Sequence, residues 1–171
     1  MKTTKSLFCL VLAILAPTSL QAEQAANDVL FSCQTSQGKQ VRIDLSGDNV
    51  RYRFGRQLQQ PEITLSLNRN QVYGNYLRPI LDDGSRATLL EIHLPNRQYT
   101  YVVYGNDLHG QAQYSIEIKK NRQTIATLTC RHASAVFNLD LFQQLPQLPE
   151  SIRPSTGKPS KSLKAVHLKA T

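Results

Sequence analysis

The sequence predicts an all-β fold: a single antiparallel β-barrel or sandwich of about eight to nine strands, with a short C-terminal helix and a flexible tail. Three observations carry this. Short runs rich in Val, Ile, Tyr, Phe and Thr recur from Val29 to Cys130. Several of them alternate between apolar and polar residues, the mark of a strand with one wet face. Turn clusters separate them at intervals of about eight to twelve residues. The length, 171 residues, suits one ordinary domain. A hydrophobic content of 40% excludes a wholly disordered chain, and 8 Gly with 8 Pro exclude a collagen-like one.

The elements follow in order. Val29–Thr35 is the first run, and Ser36-Gln37-Gly38 turns it into Gln40–Leu45, where Val41, Ile43 and Leu45 oppose Arg42 and Asp44. After the cluster Ser46-Gly47-Asp48-Asn49, Val50, Tyr52 and Phe54 alternate with Arg51 and Arg53, so the first three strands form a meander. A polar loop from Gly55 to Gln60 ends at Pro61. Ile63, Leu65 and Leu67 then mark another strand, and Val72–Leu77 a further one. Pro79–Ser85, with Asp82-Asp83-Gly84, is a tight-turn segment. Ala87–Leu94 and Gln98–Tyr104 flank Pro95-Asn96-Arg97 as a hairpin, and Gly105–Gly110 reads as an open polar loop. Tyr114, Ile116 and Ile118 alternate, Lys119–Arg122 turns, and Thr124–Cys130 closes the series. Phe137, Leu141 and Leu145 stand at helical spacing before Pro146, which predicts a short helix over Phe137–Leu145.

Both ends differ from this body. Residues 1–22 have the three parts of a secretory signal: Lys2 and Lys5, an apolar run from Leu7 to Ala16, and a break at Pro17 leading to Ala22. That run is too short to span a bilayer core of about 30 Å, so the mature chain, residues 23–171, is expected to hold no transmembrane segment and to be periplasmic or secreted. The domain is expected over 23–149. From Glu150 to Thr171 the composition shifts to Pro, Ser, Lys and Thr, which predicts a disordered basic tail. With Lys2 and Lys5 in the leader and Arg153, Lys158, Lys161, Lys164 and Lys169 in the tail set aside, 13 of the 20 bases remain against all 12 acids, a net of +1. The overall +8 is therefore no argument for nucleic acid as a partner.

Cys9 leaves with the leader, so Cys33 and Cys130 remain in the mature chain. Two cysteines in an exported protein, far apart in sequence, read as one structural disulfide rather than a redox pair. The bridge ties the start of the domain to the end of its last strand.

The inventory for catalysis is poor, and the reading is of a protein that is not an enzyme and needs no cofactor or metal. His93 alternates out of phase with Ile92 and Leu94, and no His or Cys pair has metal-site spacing. No Gly-x-Ser-x-Gly elbow or phosphate-cradling Gly loop occurs. Asp82-Asp83-Gly84 reads as a turn rather than an acid/base pair.

Binding is better supported. The Gly105–Gly110 loop carries Asp107, Leu108 and His109, one apolar residue among polar ones, and reads as a loop able to enter a partner's cleft. Tyr99 and Tyr101 share one strand face, with Tyr104 on the other, and Tyr offers a large contact area at low entropic cost. Arg42, Arg51 and Arg53 fall on the polar face of the meander with Asp44. Cross-strand ion pairing is the simpler reading of that stripe, and an anion-binding surface the alternative.

Phe31-Ser32-Cys33 with Gly38-Lys39, Tyr52-Arg53-Phe54-Gly55 and Pro61-Glu62-Ile63-Thr64-Leu65, followed by the Tyr-x-Tyr strand and the turn before Cys130, resemble a group of small exported bacterial all-β proteins. The strand–Cys–turn–strand opening is similar, more loosely, to the periplasmic inhibitors of C-type lysozyme, without their Ser-Gly-x-x-Tyr-type loop or Lys-Gly element. Periplasmic immunity proteins occupy the same niche. The resemblance implies a disulfide-closed β domain that blocks a cell-wall hydrolase or toxin sterically. A small-ligand or envelope-polymer binding protein is the alternative expectation.

Overall fold

A computed structural model describes residues 28–81, 83–108 and 110–150. The expected signal peptide, the basic tail, Asp82 and His109 lie outside the described residues. Ten strands form two antiparallel sheets. The first has the order β10-β1-β2-β3-β4 and the second β5-β6-β7-β8-β9. In the first, β1 (Val29–Gln34), β2 (Gln40–Ser46), β3 (Asn49–Gly55) and β4 (Ile63–Asn68) are the predicted meander and its next strand. The second runs β5 (Tyr73–Leu77), β6 (Ala87–Asn96), β7 (Tyr99–Leu108), β8 (Gln111–Lys120) and β9 (Gln123–Thr129).

The period-two pattern decides which face of each strand is buried. Val41, Ile43 and Leu45 of β2 and Val50, Tyr52 and Phe54 of β3 point into one core, where they meet Leu90, Ile92 and Leu94 of β6 and Tyr101 and Val103 of β7. The Tyr52 and Tyr101 rings, one from each sheet, lie 5.2 Å apart. At one corner the sheets join through backbone: Thr35 pairs with Cys130, and Ser36 N–H donates to the Thr129 carbonyl. The Cys33–Cys130 disulfide, spanning 97 residues, pins the same corner.

Three elements depart from the predicted pattern. Pro95 and Asn96 lie in β6, not in a turn, and the hairpin closes at Arg97-Gln98, with Arg97 at φ +57°. Proline is tolerated because β5 begins only opposite His93, so no strand lies beside Pro95 to need its N–H. Phe137 is not helical. It belongs to a two-residue strand, β10 (Val136–Phe137), which covers the edge of β1 at Phe31 and Ser32. The helix α1 is a single turn, Leu139–Phe142, started by Asn138, whose side chain accepts from Leu141 N–H at 3.1 Å. Its Phe142 packs over Gly74, where an added Cβ would sit 3.1 Å from the ring.

The rings of Phe31, Tyr114, Phe137, Phe142 and Tyr76 follow one another at centroid distances of 5.6, 6.5, 5.4 and 6.4 Å, closing one end of the core. Beyond them the second sheet continues. Its three central strands are ten residues each, about 34 Å, against six or seven residues in β1 to β4. The second sheet is therefore the longer of the two.

Candidate functional site

The predicted open loop at Gly105–Gly110 is a strand for most of its length. β7 runs through Leu108, β8 starts at Gln111, and the connection is only 109–110. Gly105, read from sequence as a loop boundary, sits mid-strand opposite Leu90 and Tyr114. Asp107 pairs in register with Thr88 and Ala112. Its Oδ1 is buried without a hydrogen-bond partner, as are Asn106 Oδ1 and Ser85 Oγ. The Tyr114 hydroxyl is held above its ordinary pKa by burial and by the Asp107 charge. Leu108 pairs through its backbone with Ala87 and Gln111.

The face shared by Tyr99 and Tyr101 is the inner one. Tyr101 is 8% exposed and Tyr99 half-buried against the core, with Lys120 Nζ 5.8 Å from its ring. Burial, and secondarily Tyr101, raises the Tyr52 hydroxyl far above the ordinary range. Tyr101 is core and offers no ring to a partner. Alternation put the two Tyr on one face correctly, but it could not say which face the other sheet would cover.

Arg42, Arg51 and Arg53 lie on the outer face of the first sheet, as predicted. Asp44 takes up two of them, with its Oδ1 2.6 Å from Arg42 Nε and its Oδ2 2.7 Å from Arg53 Nη2. Arg51, opposite Asp44 in register, is exposed. Two of the three arginines thus form an ion-pair cluster about one carboxylate.

Sequence reading missed two features. On the outer face of the second sheet Asn75, Glu91 and Tyr104 occupy one row and His93 and Glu117 flank Val102 in the next. His93 Nε2 lies 2.9 Å from Glu91 Oε2, and Asn75 Nδ2 donates to the same oxygen at 3.4 Å. Lys119 Nζ donates to the Tyr104 hydroxyl at 2.5 Å and lies 3.4 Å from Glu117. Burial alone would raise the Glu91 carboxyl, but His93, Asn75 and Lys119 together hold it below the usual carboxylate range. Burial would lower the Lys119 ammonium, and its bonds to Tyr104 and Glu117 reverse that and raise it. These groups satisfy one another. Among the described residues no three His, Cys, Asp or Glu converge as metal ligands.

The second feature is apolar. Tyr76, Leu77 and Ile80, on β5 and the loop after it, are 38%, 46% and 66% exposed. The Tyr76 ring meets that of Phe142 at 6.4 Å. Three of the six large exposed hydrophobics among the described residues thus lie on β5 or in the loop after it. Because Ala87 pairs with Leu108, the β5–β6 loop and the β7–β8 connection lie at the same end of the sheet. The sequence signal was slight: Ile80 and Leu81 placed inside a turn segment that otherwise favours polar residues.

One recess, of about 610 Å3, is lined by Asp48, Asn68–Asn70 and Gln144–Pro146. No described helix is long and apolar enough to cross a membrane. No family model matches the chain, and neither a curated protein nor a solved structure is similar to it.

Proposed function

We propose that this protein is a non-enzymatic binding protein of the bacterial cell envelope, exported and cleaved after Ala22, that docks on another protein as an inhibitor or immunity factor against a cell-wall-degrading enzyme or toxin. One observation carries the reading: Tyr76, Leu77 and Ile80, on β5 and the loop after it, leave large apolar side chains exposed along one edge of the second sheet. Exposed apolar clusters rimmed by polar residues mark protein-docking surfaces in soluble domains. Arg78, Asp83 and Arg86, exposed in the same segment, supply the polar surroundings. A sheet edge held rigid through backbone pairing meets a partner at little entropic cost, which is what steric inhibition requires. The disulfide fits an oxidising compartment.

The test is inhibition of purified peptidoglycan hydrolases and periplasm-acting toxins by the chain from residue 23, with the variant Leu77→Asp/Ile80→Asp. A stoichiometric inhibitor whose effect survives moderate salt and is lost in the variant, with melting unchanged, is the expected result. Activity retained by the variant overturns the assignment of the surface. Binding only to anionic envelope polymer, abolished by salt, overturns the class.

A further inference from the structure

We infer that β4 is a self-association edge, through which two copies of this chain pair about a two-fold axis to make one continuous sheet from their two first sheets. This does not depend on the inhibitory reading. β4 pairs on one side with β3 and on the other with nothing among the described residues. The two-residue turn Gly47-Asp48 makes Ser46 and Asn49 a hydrogen-bonded pair. Alternation along the ladder then sends the amides and carbonyls of Val50, Tyr52 and Phe54 toward β4, where Leu67, Leu65 and Ile63 receive them. Thr64, Ser66 and Asn68 must therefore direct theirs to the open side. Asn68 N–H is already taken by Gln71 Oε1 at 3.1 Å, which leaves Thr64 and Ser66.

Natural edges are blunted by charge, Pro, bulges or shortness. β9, the open edge of the second sheet, carries a register shift at Ile118/Lys119 and gives its Thr129 carbonyl to Ser36. β5 gives Gly74 to Pro146 and Leu148. β4, Ile-Thr-Leu-Ser-Leu-Asn, has none of these devices, and its register with β3 is unbroken. Its Ile63, Leu65 and Leu67 remain only partly buried, because no strand lies beyond them.

The occupant favoured is a second copy because the segment is self-complementary. With Leu65 opposite Leu65 of the second copy, Thr64 faces Ser66 and the two exchange N–H···O bonds in both directions, leaving the Asn68 cap intact. Ile63 then faces Leu67 on the inner side. Glu62 before the strand comes beside Asn68 and Arg69 of the second copy, acid against base, while the strand interior holds no charge. Those two residues already pair with Lys39 at 2.5 Å and Asp48 at 2.8 Å, so the contact extends an alternating chain of charges.

Sedimentation velocity on the chain from residue 23, taken to submillimolar concentration, tests this with Thr64→Pro, Ser66→Pro and Thr127→Pro. The Thr64 and Ser66 amides face away from β3, so proline at either place leaves the ladder of the single copy whole. The wild type is expected to be a dimer that dissociates on dilution. Thr64→Pro and Ser66→Pro are each expected to raise the dissociation constant about tenfold or more, and Thr127→Pro on β9 to leave it unchanged. In hydrogen exchange, the Thr64 and Ser66 amides are protected in the dimer and exposed on dilution, which carries the test should a proline variant fail to fold. A wild type that is monomeric throughout, a dimer indifferent to both β4 prolines, or unprotected amides in the dimer overturns the inference.

Discussion

Tyr114 lies across Gly105 on the neighbouring strand, and the ring occupies the space a side chain would need: a Cβ on residue 105 would meet Tyr114 Cε1 at 2.8 Å and Leu90 Cγ at 2.7 Å. The ring is held from the other side by Phe31 and Phe137, at 5.6 and 6.5 Å. Neither neighbour can yield without disturbing the aromatic row that closes the core. Gly105→Ala is therefore expected to destabilise by about 1–3 kcal/mol, as overpacking does, despite the usual gain of Ala over Gly in a strand. Urea unfolding of the two proteins checks it, and an equal or higher midpoint for the variant would contradict the packing described.

The Cys33–Cys130 bridge closes a loop of 97 residues at the corner where Thr35 and Cys130 pair. In the chain-entropy account, opening a loop of that size costs about 4–5 kcal/mol, a large share of a small domain's stability. The double variant Cys33→Ala/Cys130→Ala should melt far below the wild type under oxidising conditions, and reduction should bring the wild type to the same point. Equal melting temperatures would show that the backbone corner alone suffices.

How far the sequence disclosed this fold depends on what decides each element. β2, β3 and β4 were legible because Val41, Ile43 and Leu45, then Val50, Tyr52 and Phe54, alternate around a turn at Gly47, and nothing distant overrides that pattern. The disulfide was legible from compartment and spacing. Gly105 was not, because a glycine that makes room for a ring and one that ends a strand look alike until Tyr114 is placed opposite. Phe137 went to the wrong element for the same kind of reason: its helical spacing with Leu141 is local, whereas the free edge of β1 that captures it lies a hundred residues earlier. The candidate surface was half visible. Asp107 does lie at the same end of the second sheet, opposite Thr88, but Tyr76 and Ile80 mark the surface only through exposure, which no pattern in the chain encodes.

Asp44 holds both Arg42 and Arg53 and is itself only 16% exposed. Its removal leaves Arg53, whose Nε is already buried without a partner, with its guanidinium poorly compensated. Asp44→Ala is expected to cost about 1–2 kcal/mol, more than an isolated surface ion pair is worth, because unpaired and partly desolvated charge remains. The same variant removes the negative charge from the centre of the stripe. Retention on a sulfated polymer should therefore increase from wild type to Asp44→Ala, and a wild type that already binds as tightly would restore the anion-binding reading of Arg42, Arg51 and Arg53.

On the opposite sheet, Glu91 provides a handle on acid stability. Burial opposes its ionisation, yet the hydrogen bond and charge of His93, the Asn75 amide and Lys119 prevail, and the carboxyl titrates below its ordinary range. The folded protein thus binds fewer protons here than the unfolded chain does. Its contribution is complete above the unfolded carboxylate value, about pH 4.3, and is lost as pH falls through the lower, folded value. Glu91→Gln removes that dependence. It also replaces a charged acceptor with a neutral one against His93, for an expected loss of about 1 kcal/mol at neutral pH. Measured by denaturant unfolding from pH 7 downward, the difference between wild type and Glu91→Gln should be largest near neutrality and shrink in the acid range. A difference that stays constant with pH would mean that packing around Val102, not the charge of Glu91, is what the variant disturbs.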